Sequence, residues 1–262
     1  DDMVSRGLGD VYKRQSVTSV TGTLAKLLTA YGSNGITGLG NETISVSDTG
    51  GGSSLAASDL NSLDSKTSGT ITTANGLVTL TGTVAALNTA YGSAGLSIQG
   101  DEAITISDTT VDAEALNNLN NYTSGVINAD TLTKLTGTLA DVNVAFAADA
   151  ASSATISGLG DQDVELTDTN VLAADINTLN TYTSGTVDAS TVAVMEGTVS
   201  ALNTAYDTAG INGLGNEAVT ITDTTAQVAA LVPLDGNTSG VIDASAAHTL
   251  NGTVANANLV YA

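Results

Sequence analysis

The sequence predicts an α/β solenoid of tandem 55- to 60-residue repeats, short parallel strands alternating with short helices; a mostly β solenoid, or parallel β-helix, is the alternative. Three observations lead there. A glycine-threonine turn opening a helical stretch recurs at Gly22, Gly82, Gly137, Gly197 and Gly252, at intervals of 60, 55, 60 and 55 residues. Two further landmarks keep the same order: S/T-D-T, which puts Asp48, Asp108, Asp168 and Asp223 in one column, and T-S-G, ending at Gly69, Gly125, Gly185 and Gly240. Landmarks in fixed order, with length variation confined between them, mean tandem copies of one supersecondary unit. No segment in a unit can bury its apolar face alone, so neighbouring units must complete the core.

Each element follows from its pattern. The first strand of a unit is the alternating stretch at 43–47, 103–107, 163–167 and 218–222. The Asp or Thr that follows has a side-chain oxygen suited to cap a short helix, with Val111, Leu116 and Leu119, or Val171, Ile176 and Leu179, on its apolar side. That helix ends at Asp64, Asn120, Asn180 or Asp235, polar residues tolerant of the left-handed conformation, and T-S-G turns the chain into a second strand, TITT, VINA, TVDA or VIDA. Thr23, Thr83, Thr138 and Thr198 then cap a second helix, with Leu24, Leu27, Leu28 and Tyr31, or Val84, Leu87 and Tyr91, on one face. Segments such as GITGLG and INGLG close the unit. Pro233, the one proline, predicts a shortened or kinked helix in the fourth copy.

Two ends stand apart. Residues 1–15, DDMVSRGLGDVYKRQ, hold both arginines and half of the six basic residues, and resemble translated sequencing-adapter read-through. Residues 16–262 are expected to form one array of four units and part of a fifth, a fragment of a longer protein.

Composition narrows function. With 6 Lys+Arg against 27 Asp+Glu, a net charge of -21 disfavours nucleic acid and anionic membranes as partners. No Cys and one His exclude thiolate nucleophiles, disulfides and multi-His metal sites, so no enzyme is expected. No stretch of about 18 apolar residues occurs and no apolar leader opens the chain, so neither membrane insertion nor an N-terminal export signal is expected.

The repeated carboxylates are the candidate site. Asp48, Asp108, Asp168 and Asp223 would stack once per unit, either as ligands of Ca²⁺ bridged with backbone oxygens, or as caps of the helices they precede, the commoner use of such an Asp. Glu42, Glu102, Asp161, Asp163 and Glu217 gather before the first strand, without the spacing of a tandem G-G-x-G-x-D array. Asn128, Asp188 and Asp243, with Thr72 in the first unit, suit a turn-stabilising ladder. Tyr31, Tyr91, Phe146 and Tyr206 form an aromatic column fit for core packing or for a glycan; Tyr122, Tyr182 and His248 are expected at the surface. The glycines around Gly38 and Gly40 lack the Lys-Ser/Thr of a phosphate-binding loop.

TGTVAALNTAYGSAG, GLGNEAVTITDTT and GNTSGVIDAS resemble the long Thr/Ala/Asn-rich tandem repeats of giant bacterial surface and secreted proteins, notably marine cyanobacterial ones often joined to hemolysin-type calcium-binding modules. The resemblance covers residues 16–262. It implies an extracellular or cell-surface location, export by a C-terminal signal outside this segment, and a role as adhesin stalk, spacer or matrix component; calcium or polysaccharide binding in an RTX-like protein is the alternative. The expected partners are neighbouring repeats of the chain and, end to end, other copies of it. A strongly acidic exterior suits a salty medium, which screens self-repulsion.

Overall fold

The computed structural model describes residues 17–48, 53–73 and 79–260, and the adapter-like head lies outside them. Contacts divide the chain into two compact units, Asp1–Ile106 with Tyr122–Gly125, and Ser107–Asn121 with Val126–Ala262. The first part of the chain forms β1 (Ser19–Gly22), α1 (Leu24–Tyr31), β2 (Thr43–Val46), β3 (Ser54–Ala56), α2 (Ala57–Asp64), β4 (Ile71–Thr73), β5 (Thr79–Gly82), α3 (Val84–Gly92), β6 (Leu96–Ser97) and β7 (Ala103–Ile106). There follow β8 (Thr110–Asp112), α4 (Ala113–Tyr122), β9 (Ile127–Asn128), β10 (Lys134–Gly137), α5 (Leu139–Ala150), β11 (Ile156–Ser157), β12 (Asp163–Leu166), β13 (Asn170–Leu172) and α6 (Ala173–Tyr182). The last are β14 (Val187–Asp188), β15 (Val194–Gly197), α7 (Val199–Asp207), β16 (Ile211–Asn212), β17 (Ala218–Ile221), β18 (Thr225–Gln227), α8 (Val228–Asn237), β19 (Ile242–Asp243), β20 (Thr249–Asn251) and α9 (Val254–Val260).

Every strand pairing is parallel, so the fold is of the α/β class, with strands and helices alternating in a repeat-like order; among the described residues no sheet closes into a barrel. In the first unit β1, β2, β4 and β6 form one sheet, and β3, β5 and β7 pair in another. In the second, β8-β10-β12-β14-β16 is a five-stranded sheet, β13-β15-β17-β19 a four-stranded one, and β9-β11 and β18-β20 are pairs. Partners lie one strand–helix turn apart: Thr110 opposite Lys134, Lys134 opposite Asp163, Val187 opposite Ile211. Within the second unit, one turn of chain contributes β16, β17 and β18 to three different sheets.

Alternation places Ile44 and Val46, Ile104 and Ile106, Val164 and Leu166, and Val219 and Ile221 inward. Helices α2 to α8 bury their first, fourth and seventh positions, as Ala57, Leu60 and Leu63 or Ala173, Ile176 and Leu179 show, one apolar stripe over the sheets. In α2, α4 and α6 the first of these is alanine. Gly137, at φ 142°, sits where an added Cβ would lie 3.4 Å from the Ala113 Cβ, so the glycine-threonine turn fits against the start of the helix one turn of chain earlier.

The structure corrects the sequence reading in three places. Val111 and Val171 belong to the short strands β8 and β13, so the helices after S/T-D-T begin at Ala113 and Ala173, five residues past the Asp. Each glycine-threonine turn ends a further strand, β1, β5, β10 or β15, that the sequence reading did not assign. Finally, α8 keeps ten residues around Pro233, the length of α4 and α6, and is not shortened.

Candidate functional site

The aspartate column caps helices, but not the helices that follow it. Asp48 Oδ2 accepts the Leu24 N–H at 2.7 Å, Asp168 Oδ2 the Leu139 N–H at 2.6 Å, and Asp223 Oδ2 the Val199 N–H at 2.7 Å. Each carboxylate thus reaches back to the first residue of α1, α5 or α7. The helices directly after it start from Ala56, Leu172 and Gln227, none of which gives a side-chain cap. At α5 and α7 the third N–H is taken by the preceding threonine, Asp141 N–H to Thr138 Oγ1 and Ala201 N–H to Thr198 Oγ1, each 3.2 Å. Two exposed-end donors are therefore satisfied from two turns of chain, and a negative charge meets the positive end of the helix dipole. Asp108 occupies the corresponding half-buried place, its backbone carbonyl accepting the Thr131 hydroxyl at 2.9 Å.

Glu42, Glu102 and Glu217 are buried, at 0%, 2% and 0% exposure, although the sequence left them as a loose acidic group. Glu42 Oε2 accepts the N–H groups of Gly40 (2.7 Å) and Asn41 (3.1 Å) and the Tyr31 hydroxyl (3.0 Å). Glu102 accepts from Gln99 N–H (3.1 Å), Gly100 N–H (2.9 Å) and Tyr91 (3.2 Å); Glu217 accepts from Gly215 N–H through both oxygens and from Tyr206 (3.0 Å). Backbone donation, from Gly40 above all, holds the Glu42 carboxyl below its ordinary range. Burial and then the adjacent glutamate push Tyr31 up to about 12, and raise Tyr91 and Tyr206 as well.

The same glutamates hold the next turn of chain through their backbone. Thr123 Oγ1 donates to the Glu102 carbonyl at 3.2 Å and Thr238 Oγ1 to that of Glu217 at 2.7 Å, while each threonine also accepts the N–H of its T-S-G glycine. A Cβ at Gly125 or Gly240 would overlap the same carbonyl, which explains the third landmark. In the third copy the in-register residue is Gln162, not Asp161 or Asp163. Its partner position is Phe146, buried and without a hydroxyl. Gln162 Oε1 accepts from Gly160 and Asp161 N–H, its Nε2 donates to the carbonyls of Leu132 (3.2 Å) and Gly158 (3.0 Å), and Thr183 Oγ1 donates to its backbone carbonyl at 2.6 Å.

The remaining candidates divide. Asn128, Asp188 and Asp243 each accept an N–H two residues on, from Asp130, Ser190 and Ser245, a turn-stabilising arrangement; Thr72 is exposed on β4. Asp163 accepts twice from Thr186, whose N–H in particular lowers its carboxyl. Tyr122 is 48% exposed and stacks on Tyr91 at 5.9 Å, whereas Tyr182, expected at the surface, is half-buried and stacks on Phe146 at 6.4 Å. His248 is exposed.

Sequence reading missed an asparagine row. At the fifth position of α2, α4, α5, α6 and α7, the Nδ2 of Asn61, Asn117, Asn143, Asn177 and Asn203 donates to the third carbonyl of the following helix, at Ala86, Asp141, Asp175, Ala201 and Ala230. A hydrophobic residue followed by Asn at a fixed helix position was the available signal.

A groove of about 410 Å³ beside α7 is lined by Ser200, Asn203, Thr204, Asp207, Asp223 and Gln227, and its Asp223 is the one engaged at Val199. Among the described residues no three of His, Cys, Asp and Glu converge to hold a metal, and no helix is long and apolar enough to cross a membrane. No known protein family, curated protein or solved structure matches the chain.

Proposed function

We propose that this chain is a structural repeat array, an α/β solenoid segment of a large secreted or cell-surface protein that serves as adhesin stalk, spacer or matrix component and carries out no catalysis. The observation that supports this most is where the recurrent polar residues go. The aspartates at Leu24, Leu139 and Val199, the asparagine row and the T-S-G threonines all bond to backbone one turn of chain away. A sequence that devotes its repeated polar positions to joining turn to turn is one whose task is extension. In this reading two strand–helix turns make one sequence period, and the net charge of -21 keeps an exported array soluble.

Small-angle scattering of the chain tests it. The expected profile is that of a rod, whose length falls by about one quarter when residues 108–167, one 60-residue period, are removed while the ellipticity per residue stays constant. A globular profile, or collapse of the fold on that deletion, would sink the solenoid reading.

A further inference from the structure

We infer that the outward face of the sheet β1-β2-β4-β6 is an ice-binding surface, a lattice of uncharged hydroxyls whose ligand is the crystalline face of frozen water. The inference goes beyond a spacer role. It concerns one sheet of the first compact unit, so a failed scattering test would leave it standing.

The register builds the lattice. Pairing sets Thr21 opposite Ser45, Ser45 opposite Thr72 and Thr72 opposite Ser97, one row across all four strands. Two residues earlier along the strands Ser19 lies opposite Thr43, and Thr70, one residue before β4, continues that second row. All seven are exposed, while Ile44, Ile71 and Leu96 between them are buried. Neighbours in a row are about 4.8 Å apart and the two rows about 6.7 Å apart, the strand spacing and twice the rise per residue. Water oxygens on the faces of an ice crystal repeat at distances of that order, so several hydroxyls can occupy lattice positions at once.

The hydroxyls are available. Thr43 Oγ1 donates to the Thr18 carbonyl at 3.2 Å, and among the described residues the other six hydroxyls have no hydrogen-bond partner. A hydroxyl donates and accepts, as a water molecule in the lattice must. Four of the seven belong to threonines, whose branched Cβ restricts χ1 and holds the oxygen in place before the ligand arrives.

The fold does not demand hydroxyls there. At the same positions the third copy carries Lys134 opposite Asp163 and Glu165 opposite Asp188, so these strands form equally well with charges on their outer side. In a chain of net charge -21 the face of β1-β2-β4-β6 carries none. The match is electrostatic as well as geometric: a charged side chain loses more than it gains when its own water shell is displaced, whereas a neutral hydroxyl exchanges one hydrogen-bonded water for another.

The test is ice-affinity partition of the whole chain. Ice is grown slowly on a cold finger in a dilute solution that also holds an ordinary acidic protein as reference, and both proteins are assayed in the ice and in the remaining liquid. The chain should enter the ice several-fold more than the reference. Ser45→Glu with Thr72→Asp, which copies Glu165 and Asp188 into the first copy, should stay in the liquid as the reference does, with its circular dichroism unchanged, and Ser45→Thr should still enter. Exclusion of the unsubstituted chain from ice, or equal entry of the double variant, would overturn the inference. Retention on microcrystalline cellulose without entry into ice would overturn it too, and would assign the face to a crystalline glycan. Should the double variant fail to fold, Ser19→Lys, which places the third copy's Lys134 side chain in the second row, takes its place with the same expected loss.

Discussion

At the scale of single residues, the aspartate column is defined by which donor each carboxylate meets. Asp168 serves the first N–H of α5 from a neighbouring turn of chain. Asp168→Ala should therefore cost roughly 1–2 kcal/mol, read from urea unfolding at constant m-value, whereas Asp168→Asn, which keeps an accepting oxygen, should lose less than half of that. A calcium site would behave otherwise, since the amide would weaken a ligand set as badly as alanine does. Tyr31 gives a second check. Because folding raises its ionisation to about 12, stability should decline as pH rises from the ordinary tyrosine range near 10 toward that value; absorbance at alkaline pH should resolve a late-titrating phenol that Tyr31→Phe removes. The capping role of Thr83, Thr138 and Thr198 was legible in advance, because a cap and its N–H lie three residues apart, whereas Thr23, read the same way, gives α1 no side-chain cap. The aspartate partner was not, because it lies 24 or 29 residues upstream and no local pattern announces it.

Among elements, the helices, the first strands β2, β7, β12 and β17 and the second strands β4, β9, β14 and β19 could be read from the sequence, whereas the strands that end at the glycine-threonine turns and the short ones before α2, α4, α6 and α8 could not. Thr110–Asp112 and Asn170–Leu172 hold too few apolar side chains for a period of two to be told from a helical one, and Val111 fits either. The asparagine row escaped for a related reason: Asn177 in isolation reads as one more polar residue of a Thr- and Asn-rich chain. In the fold its Nδ2 lies 2.8 Å from the Ala201 carbonyl, while its Oδ1 is buried without a partner. Asn177→Asp would set two acceptors against that carbonyl. It should lower the denaturant midpoint by the equivalent of about 2 kcal/mol or more, while Asn177→Ser costs less. Equal effects from the two changes would remove the helix-to-helix bond from the account of how α6 and α7 stay in register.

For the whole molecule, the acidity and the repeated carboxylates make opposite forecasts about metal. If the columns are caps, the melting temperature in millimolar Ca²⁺ should match that in Mg²⁺ at equal ionic strength, and excess EDTA should change nothing. If they are ligands, Ca²⁺ alone should raise the midpoint by mass action on the folded state. Circular dichroism melts in the three buffers separate the two. The coarse class, with strands and helices alternating, was readable in the repeating landmarks. The pairing of strands was not: β8 joins β10 and passes over β9, and β13 joins β15 and passes over β14, so each meets the second strand past the intervening helix, a choice made by register between distant turns.

One turn of chain in the second unit, from Ile211 to Gln227, ends one sheet at β16, runs through the middle of another at β17 and begins a third at β18. Masonry laid in overlapping courses has the same property: no straight seam passes through it. A crack that follows the end of the β8–β16 ladder meets the intact β15–β17–β19 ladder in the same turn, so parting two turns there means shearing two ladders at once. Pulled by its ends, this part of the chain should resist until both give way together, yielding in steps larger than a single two-residue strand could account for.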